Sequence, residues 1–183
     1  MRAIVSGATG YLGVALTARL VEDGVDVHAI KRRESNAARL LERAPGVALH
    51  DYDGSQRALS EILSTVQPDT VFHLAGQYIR EETTADLPAL LAANITFGSQ
   101  LLEAGRQAGI RRFINTGSYF QFGNQGKAAV NLYAATKNAF GEILAYYTGL
   151  GLFRTTSLIL FDTYGPGDWR RKLFPAIAAA QMQ

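Results

Sequence analysis

Ala3-Ile4-Val5-Ser6-Gly7-Ala8-Thr9-Gly10-Tyr11-Leu12-Gly13 decides the fold. Ala3–Ser6 is a short apolar run and reads as a buried first strand. Beyond the turn, Leu12, Leu16, Leu20 and Val21 recur at helical spacing as far as Asp23. The glycines lie between strand and helix, and each has a use. Gly7 allows a tight turn that a Cβ would disfavour. Gly10 lets the backbone approach a pyrophosphate, and Gly13 permits close contact of helix and strand. The first turn of the helix offers unpaired N–H groups and a partial positive charge to phosphates. Gly7, Thr9, Gly10, Tyr11, Leu12 and Gly13 are therefore expected around a dinucleotide.

Working outward, the same rhythm repeats. Strand candidates are Ala3–Ser6, Asp26–Ile30, Val47–His50, Thr70–Leu74, Arg112–Thr116 and Thr155–Phe161. Several are apolar throughout, as expected of parallel strands covered on both faces. Helix candidates are Leu12–Asp23, Gln56–Val66 with Ser55 as its N-cap, Leu87–Ala108 broken near Gly98 and stopped by Gly109, and Leu132–Gly149. The alternation predicts a doubly wound parallel sheet, a three-layer α/β/α Rossmann fold. With 183 residues the chain has room for one such domain. Tyr164-Gly165-Pro166-Gly167-Asp168 reads as a loop, followed by the basic run Arg170-Arg171-Lys172 and a short apolar helix from Phe174 to Gln183.

Composition excludes several classes. The net charge of +2 does not suggest a nucleic-acid partner. The absence of cysteine rules out disulfides, thiolate metal sites and cysteine nucleophiles, and fits a cytoplasmic protein. His28, His50 and His73 show no metal-ligand spacing. No apolar run approaches a membrane span, and the stretch at Met1–Ser6 is too short for a signal peptide.

The second strand ends Ile30-Lys31-Arg32-Arg33, with no acid before Glu34. An acid there would bind the adenosine ribose hydroxyls of NAD. Lys31 and Arg32 instead suit a 2′-phosphate, so NADP is favoured over NAD. A solvated basic loop is the other reading. Asp51, with Tyr52 after it, is placed to meet the adenine edge; a helix N-terminal acid is its alternative.

Tyr133 and Lys137 lie at i and i+4 and share a helix face. A free tyrosine titrates near ~10, and a nearby ammonium would lower that value. Tyr133 could then pass a proton to or from a carbonyl oxygen. Lys137 could also donate to the nicotinamide ribose. Ser118, after the fifth strand in Thr116-Gly117-Ser118, would polarise the same oxygen, with Thr116 as runner-up. A Tyr-x-x-x-Lys pair alone also arises by chance; the glycine turn and Ser118 give it its specificity.

Together these elements resemble the short-chain dehydrogenase/reductase superfamily, in its extended NAD-dependent epimerase/dehydratase branch. Phe72-His73-Leu74-Ala75-Gly76, Asn94 and Tyr164-Gly165-Pro166-Gly167 extend the resemblance. It implies that Leu74, Ala75 and Gly76 line the cofactor and that the helix carrying Asn94 helps build the site. The segments around Ser118 and Tyr133 look most like 4-ketoreductases of nucleotide-linked deoxysugars. The resemblance implies a nucleotide-sugar substrate and an NADP(H)-dependent reductase. An epimerase with tightly held NAD is the nearer rival, and a non-catalytic NADP-sensing module a reading of another class. A 4,6-dehydratase is disfavoured, because Gly117-Ser118 replaces the usual Asp-Glu pair. Two departures stand out. Phe161-Asp162-Thr163 replaces a customary Asn, and the smaller substrate lobe is missing, so residues 170–183 read as its truncated start. The resemblance also implies a possible homodimer, with Ala134, Ala135, Phe140, Leu144 and Tyr147 assignable either to its interface or to the core.

Overall fold

A computed structural model describes residues 1–79, 83–123, 129–170 and 177. Apart from Ile177, the expected helix from Phe174 to Gln183 lies outside the described residues, as do Arg171 and Lys172.

Six strands form one sheet among the described residues: β1 (Arg2–Ser6), β2 (Asp26–Arg32), β3 (Ala48–Tyr52), β4 (Thr70–His73), β5 (Arg112–Ser118) and β6 (Arg154–Leu160). Every pairing is parallel and the order is β3-β2-β1-β4-β5-β6. The order reverses between β1 and β4. That places a crevice at the carboxyl ends of the two central strands.

Helices cover the sheet because each buries one apolar stripe. α1 (Tyr11–Glu22) and α2 (Ala38–Arg43) close one face over Val5, Val27 and Ala29. α3 (Gln56–Val66), α5 (Phe97–Ala108) and α6 (Leu132–Gly149) close the other around Ile4, Val71 and Phe113. The ends are set by local chemistry. Ser55 Oγ accepts from Ala58 N at 3.1 Å to start α3. Asn131 Oδ1 accepts from Ala134 N at 2.9 Å to start α6. Gly109, at φ +68°, ends α5 in the left-handed conformation.

The structure departs from the sequence pattern in two places. α2 was not expected; it is six residues long with only Leu40 buried, too short to show periodicity. The long helix breaks earlier than Gly98, at a π-helical turn, Ala92–Thr96, that separates α4 (Leu87–Leu91) from α5. Gly98 lies inside α5 and serves contact: a Cβ there would stand 2.5 Å from Phe140 Cε2 and 3.0 Å from His73 Nε2. Of the apolar α6 residues assignable to core or interface, Ala134, Phe140 and Leu144 are buried in the core. β6 forms one edge of the sheet, with Leu158 and Ile159 exposed.

His73 is fully buried against Phe97, Phe113 and Phe140. Its Nδ1 hydrogen-bonds Ser6 Oγ at 2.8 Å, while Nε2 has no partner. Burial first, and then the nearby Lys137 charge, lower its pKa from 6.5 to about 3. The folded state thus holds a neutral imidazole that the unfolded chain protonates. Its contribution is complete above 6.5 and declines as pH falls toward about 3, by on the order of 1 kcal/mol per pH unit. Urea melts of the wild type and His73→Gln between neutral and acid pH should show the variant losing less stability on acidification. Parallel slopes would remove His73 as the source.

Candidate active site

The glycine turn is built for close backbone approach. Gly7 has φ +72°, and a Cβ on it would stand 2.6 Å from Ala75 N. A Cβ on Gly13 would stand 2.1 Å from Gly7 O. Both positions therefore exclude side chains so that β1, α1 and the loop after β4 can meet. Gly10 differs: its nearest obstacle is Gly7 O at 3.3 Å, and it faces the crevice as the uncapped N-terminus of α1. Gly7, Thr9 and Gly10 line a cleft of about 980 Å³ that continues over Ile30, Tyr52 and Leu74–Gly76 to Ala92 and Ala93 of the π-helical turn. A cleft of this size, with unpaired helix N–H groups at its centre, fits a dinucleotide.

The far end of the cleft is where β2 and β3 stop. Lys31 and Asp51 are direct register partners on the parallel ladder. Lys31 Nζ donates to Asp51 Oδ1 at 2.6 Å. That hydrogen bond holds the Asp51 carboxyl below its ordinary range. Lys31 lines the cleft together with Arg32 and Arg33. Asp51 is engaged by Lys31 and does not line the cleft; Asp53 and Tyr52 do. Tyr52 also donates to Gln100 Oε1 at 2.5 Å. Arg32 lines the cleft while pairing with Glu34 at 3.3 Å. Arg33, which the sequence reading did not single out, lines it as well.

The loop after β4 is fixed by Asn94, which is buried in the π-helical turn. Its Oδ1 accepts from Gln77 N at 2.7 Å, and its Nδ2 donates to Gln77 O at 3.0 Å and Thr136 Oγ1 at 3.0 Å. Asn94 is thus a clamp between this loop and α6. Gly76, exposed beside it, faces Lys137: a Cβ there would lie 3.3 Å from Asn94 Oδ1 and 3.4 Å from Lys137 Nζ.

Ser118 ends β5, and Tyr133 and Lys137 stand one turn apart on α6. The Ser118 side chain lies close enough to the Tyr133 phenol to act on its pKa. Two further residues hold that pairing in place. Gln121 Oε1 accepts from Ser118 N at 2.6 Å; Gln121 also exchanges two hydrogen bonds with Asn138 of α6, at 2.9 and 3.1 Å. Tyr78 sets its ring edge-on to Tyr133, with centroids 5.2 Å apart. Neither Gln121 nor Tyr78 carried a sequence signal, since their partners lie on other elements.

The electrostatics correct one expectation. Burial raises the Tyr133 pKa above its usual 10.0, and the Ser118 side chain is what opposes the rise. Lys137 is itself buried, and desolvation lowers it from 10.5 to about 8. Thr116 is also reassigned. Its hydroxyl donates to His73 O at 3.1 Å and ties β5 to β4, so it is engaged between strands.

The sequence profile of the NAD dependent epimerase/dehydratase family matches residues 3–183. The chain belongs to that family. Among family relatives, it is 29% identical over 182 residues to a CDP-abequose synthase of Yersinia pseudotuberculosis, covering 98% of this chain and 62% of that protein. It is 31% identical over 121 residues to a UDP-glucose 4-epimerase of Mycolicibacterium smegmatis, covering 64% and 39%. The chain thus spans less than two thirds of the length of these relatives. A Thermotoga maritima UDP-glucose 4-epimerase solved with UDP-glucose superposes at TM-score 0.87 and 21% identity, over 100% of this chain and 63% of that one. Bordetella bronchiseptica WbmH, solved with NAD+, superposes at 0.81 and 18% identity, over 99% and 62%. These structures share the doubly wound fold. No described helix is long and apolar enough to cross a membrane.

Replacing Asn94 with Leu would strand the part-buried Gln77 N–H and C=O. The expected cost is about 2–4 kcal/mol, with cofactor affinity lost more steeply than the melting temperature suggests. Denaturant melts and dinucleotide titration would check this. Affinity unchanged alongside lowered stability would mean that the clamp does not shape the cleft.

Proposed function

We propose that this family member is an NADP(H)-dependent oxidoreductase that reduces the 4-keto group of a nucleotide-linked 6-deoxyhexose. One observation carries the reading: Tyr133, with Ser118 of β5 beside it, shares α6 with a buried Lys137 whose ammonium reaches Gly76, a wall of the dinucleotide cleft. A proton donor and the cofactor cleft thereby adjoin. The CDP-abequose synthase likeness supports a nucleotide-linked deoxysugar as substrate.

The glycine turn would hold the pyrophosphate, with Leu74–Gly76 beside it and Tyr52 and Arg33 toward the adenosine end. Tyr133 gives its proton to the carbonyl oxygen. A nicotinamide held in this cleft would supply the hydride that pairs with this proton. Burial suits this direction, because a phenol held above 10.0 stays protonated at neutral pH. Ser118 donates a hydrogen bond to the same oxygen. Lys137, an ammonium below about 8, orients ribose hydroxyls and steadies the phenolate left on Tyr133. Residues 1–183 form the cofactor domain, with about 170–183 as the start of a substrate lobe. Tyr146, exposed on α6, suits a two-fold contact in a dimer.

A second reading, an epimerase holding NAD, is favoured by the Lys31–Asp51 ion pair, which removes one cation from the adenosine end. A non-catalytic sensor has no use for Tyr133 and Lys137 together.

The test is NADPH oxidation with CDP- and dTDP-linked 4-keto-6-deoxyhexoses, with NADH in parallel. Binding is followed separately by energy transfer from Trp169, the sole tryptophan, which stands 5.5 Å from the Tyr11 ring. Consumption of NADPH matched by reduced sugar supports the reductase. Interconversion of sugar epimers without net oxidation would replace it with the epimerase. Tyr133→Phe should reduce turnover by roughly a hundredfold or more and leave NADPH affinity within about twofold. Equal turnover would remove Tyr133 as the acid. Lys137 ionisation should weaken cofactor binding as pH rises through about 8. Lys137→Met should abolish that dependence, and a profile still falling near 8 in the variant would assign it elsewhere.

A further inference from the structure

We infer that Lys31 does not read a cofactor phosphate but, locked to Asp51, fixes the loop that presents Arg33 to it. This rests on the NADP reading above and deepens it.

An ammonium has three N–H donors and no acceptor. Those of Lys31 have three acceptors within reach: Asp51 Oδ1 at 2.6 Å, Arg32 O at 3.3 Å and Arg33 O at 3.3 Å. Its side chain is only 14% exposed. Lys31 lines the cleft with Arg32 and Arg33, yet its ammonium has no donor to spare. Its position follows from register. Lys31 and Asp51 lie side by side on β2 and β3, so the ion pair forms at the last rungs of the ladder. From there the ammonium bridges back to two successive carbonyls of its own chain. The loop leaving β2 is thereby pinned at Arg32 and Arg33.

What the pinned loop presents is the guanidinium of Arg33. Arg33 is exposed at the cleft wall and has no ion pair among the described residues, whereas Arg32 is engaged with Glu34. A planar fork with several donors suits a phosphate monoester better than an ammonium does. In this arrangement Arg33 is the specificity-determining contact, and Lys31 and Asp51 are positioning residues.

Electrostatics alone predicts the opposite for Asp51. A carboxylate near a bound 2′-phosphate repels it, so removing that charge should tighten NADPH binding if Lys31 were the direct ligand. The test is titration of the wild type, Lys31→Met, Asp51→Asn and Arg33→Ala with NADPH and with NADH, read by Trp169 energy transfer. Roughly tenfold weaker NADPH binding is expected in all three variants, with NADH affinity within about twofold of wild type. The retained NADH affinity also reports that each variant is folded. Tighter or unchanged NADPH binding in Asp51→Asn, beside a loss in Lys31→Met, would overturn the proposal and make Lys31 the direct ligand. Equal losses for both cofactors would overturn it too, because the pair would then support the whole adenosine pocket. Failure of the NADP reading itself shows in the wild type alone, as no preference for NADPH, and the proposal falls with it.

Discussion

The structure depends on backbone meeting backbone where β1 turns into α1. With Cβ atoms on Gly7 and Gly13, the turn would collide with Ala75 and with itself, at 2.6 and 2.1 Å. Because those atoms are missing, the loop after β4 lies directly against the glycine turn. The start of α1 then opens onto a crevice bounded by β2, β3 and the π-helical turn. Every element that lines the cleft is placed by that approach.

A buried polar chain carries the constraint across to α6. Ser6 bonds His73, the His73 carbonyl accepts from Thr116, and Asn94 joins Gln77 to Thr136. Buried polar groups are costly unless paired, so this chain permits few arrangements of β4, β5 and α6. The distance from cofactor cleft to Tyr133 is thereby set by hydrogen bonds as well as by apolar contact. The aromatic shell around His73 adds the demand for Gly98, where a side chain would strike Phe140. Stability and site geometry draw on the same interior groups.

Much of this was readable from residue order. The strand–glycine–helix opening, the alternating elements, and the order of Ser118, Tyr133 and Lys137 all depend on local spacing, and local spacing is written along the chain. Asn94 entered only through resemblance to a family, since a lone polar residue on a helix carries no physical signal of a clamp. Gln121, Tyr78 and Arg33 were missed because the partners or the cleft that define them come from distant segments.

The sequence by itself determined the fold class, the place of the phosphate turn and the shared helix face of Tyr133 and Lys137, because periodicity and glycine spacing act within a few residues. Only the tertiary structure decided where the charges go. Lys31 and Arg33 look equivalent in the sequence and both line the cleft, yet strand register engages the Lys31 ammonium with Asp51 and leaves Arg33 without an ion pair among the described residues. Likewise spacing suggested that Lys137 would lower the Tyr133 pKa, while burial raises it. Desolvation and cross-strand pairing depend on which segments meet in space, and that is fixed only when the sheet assembles.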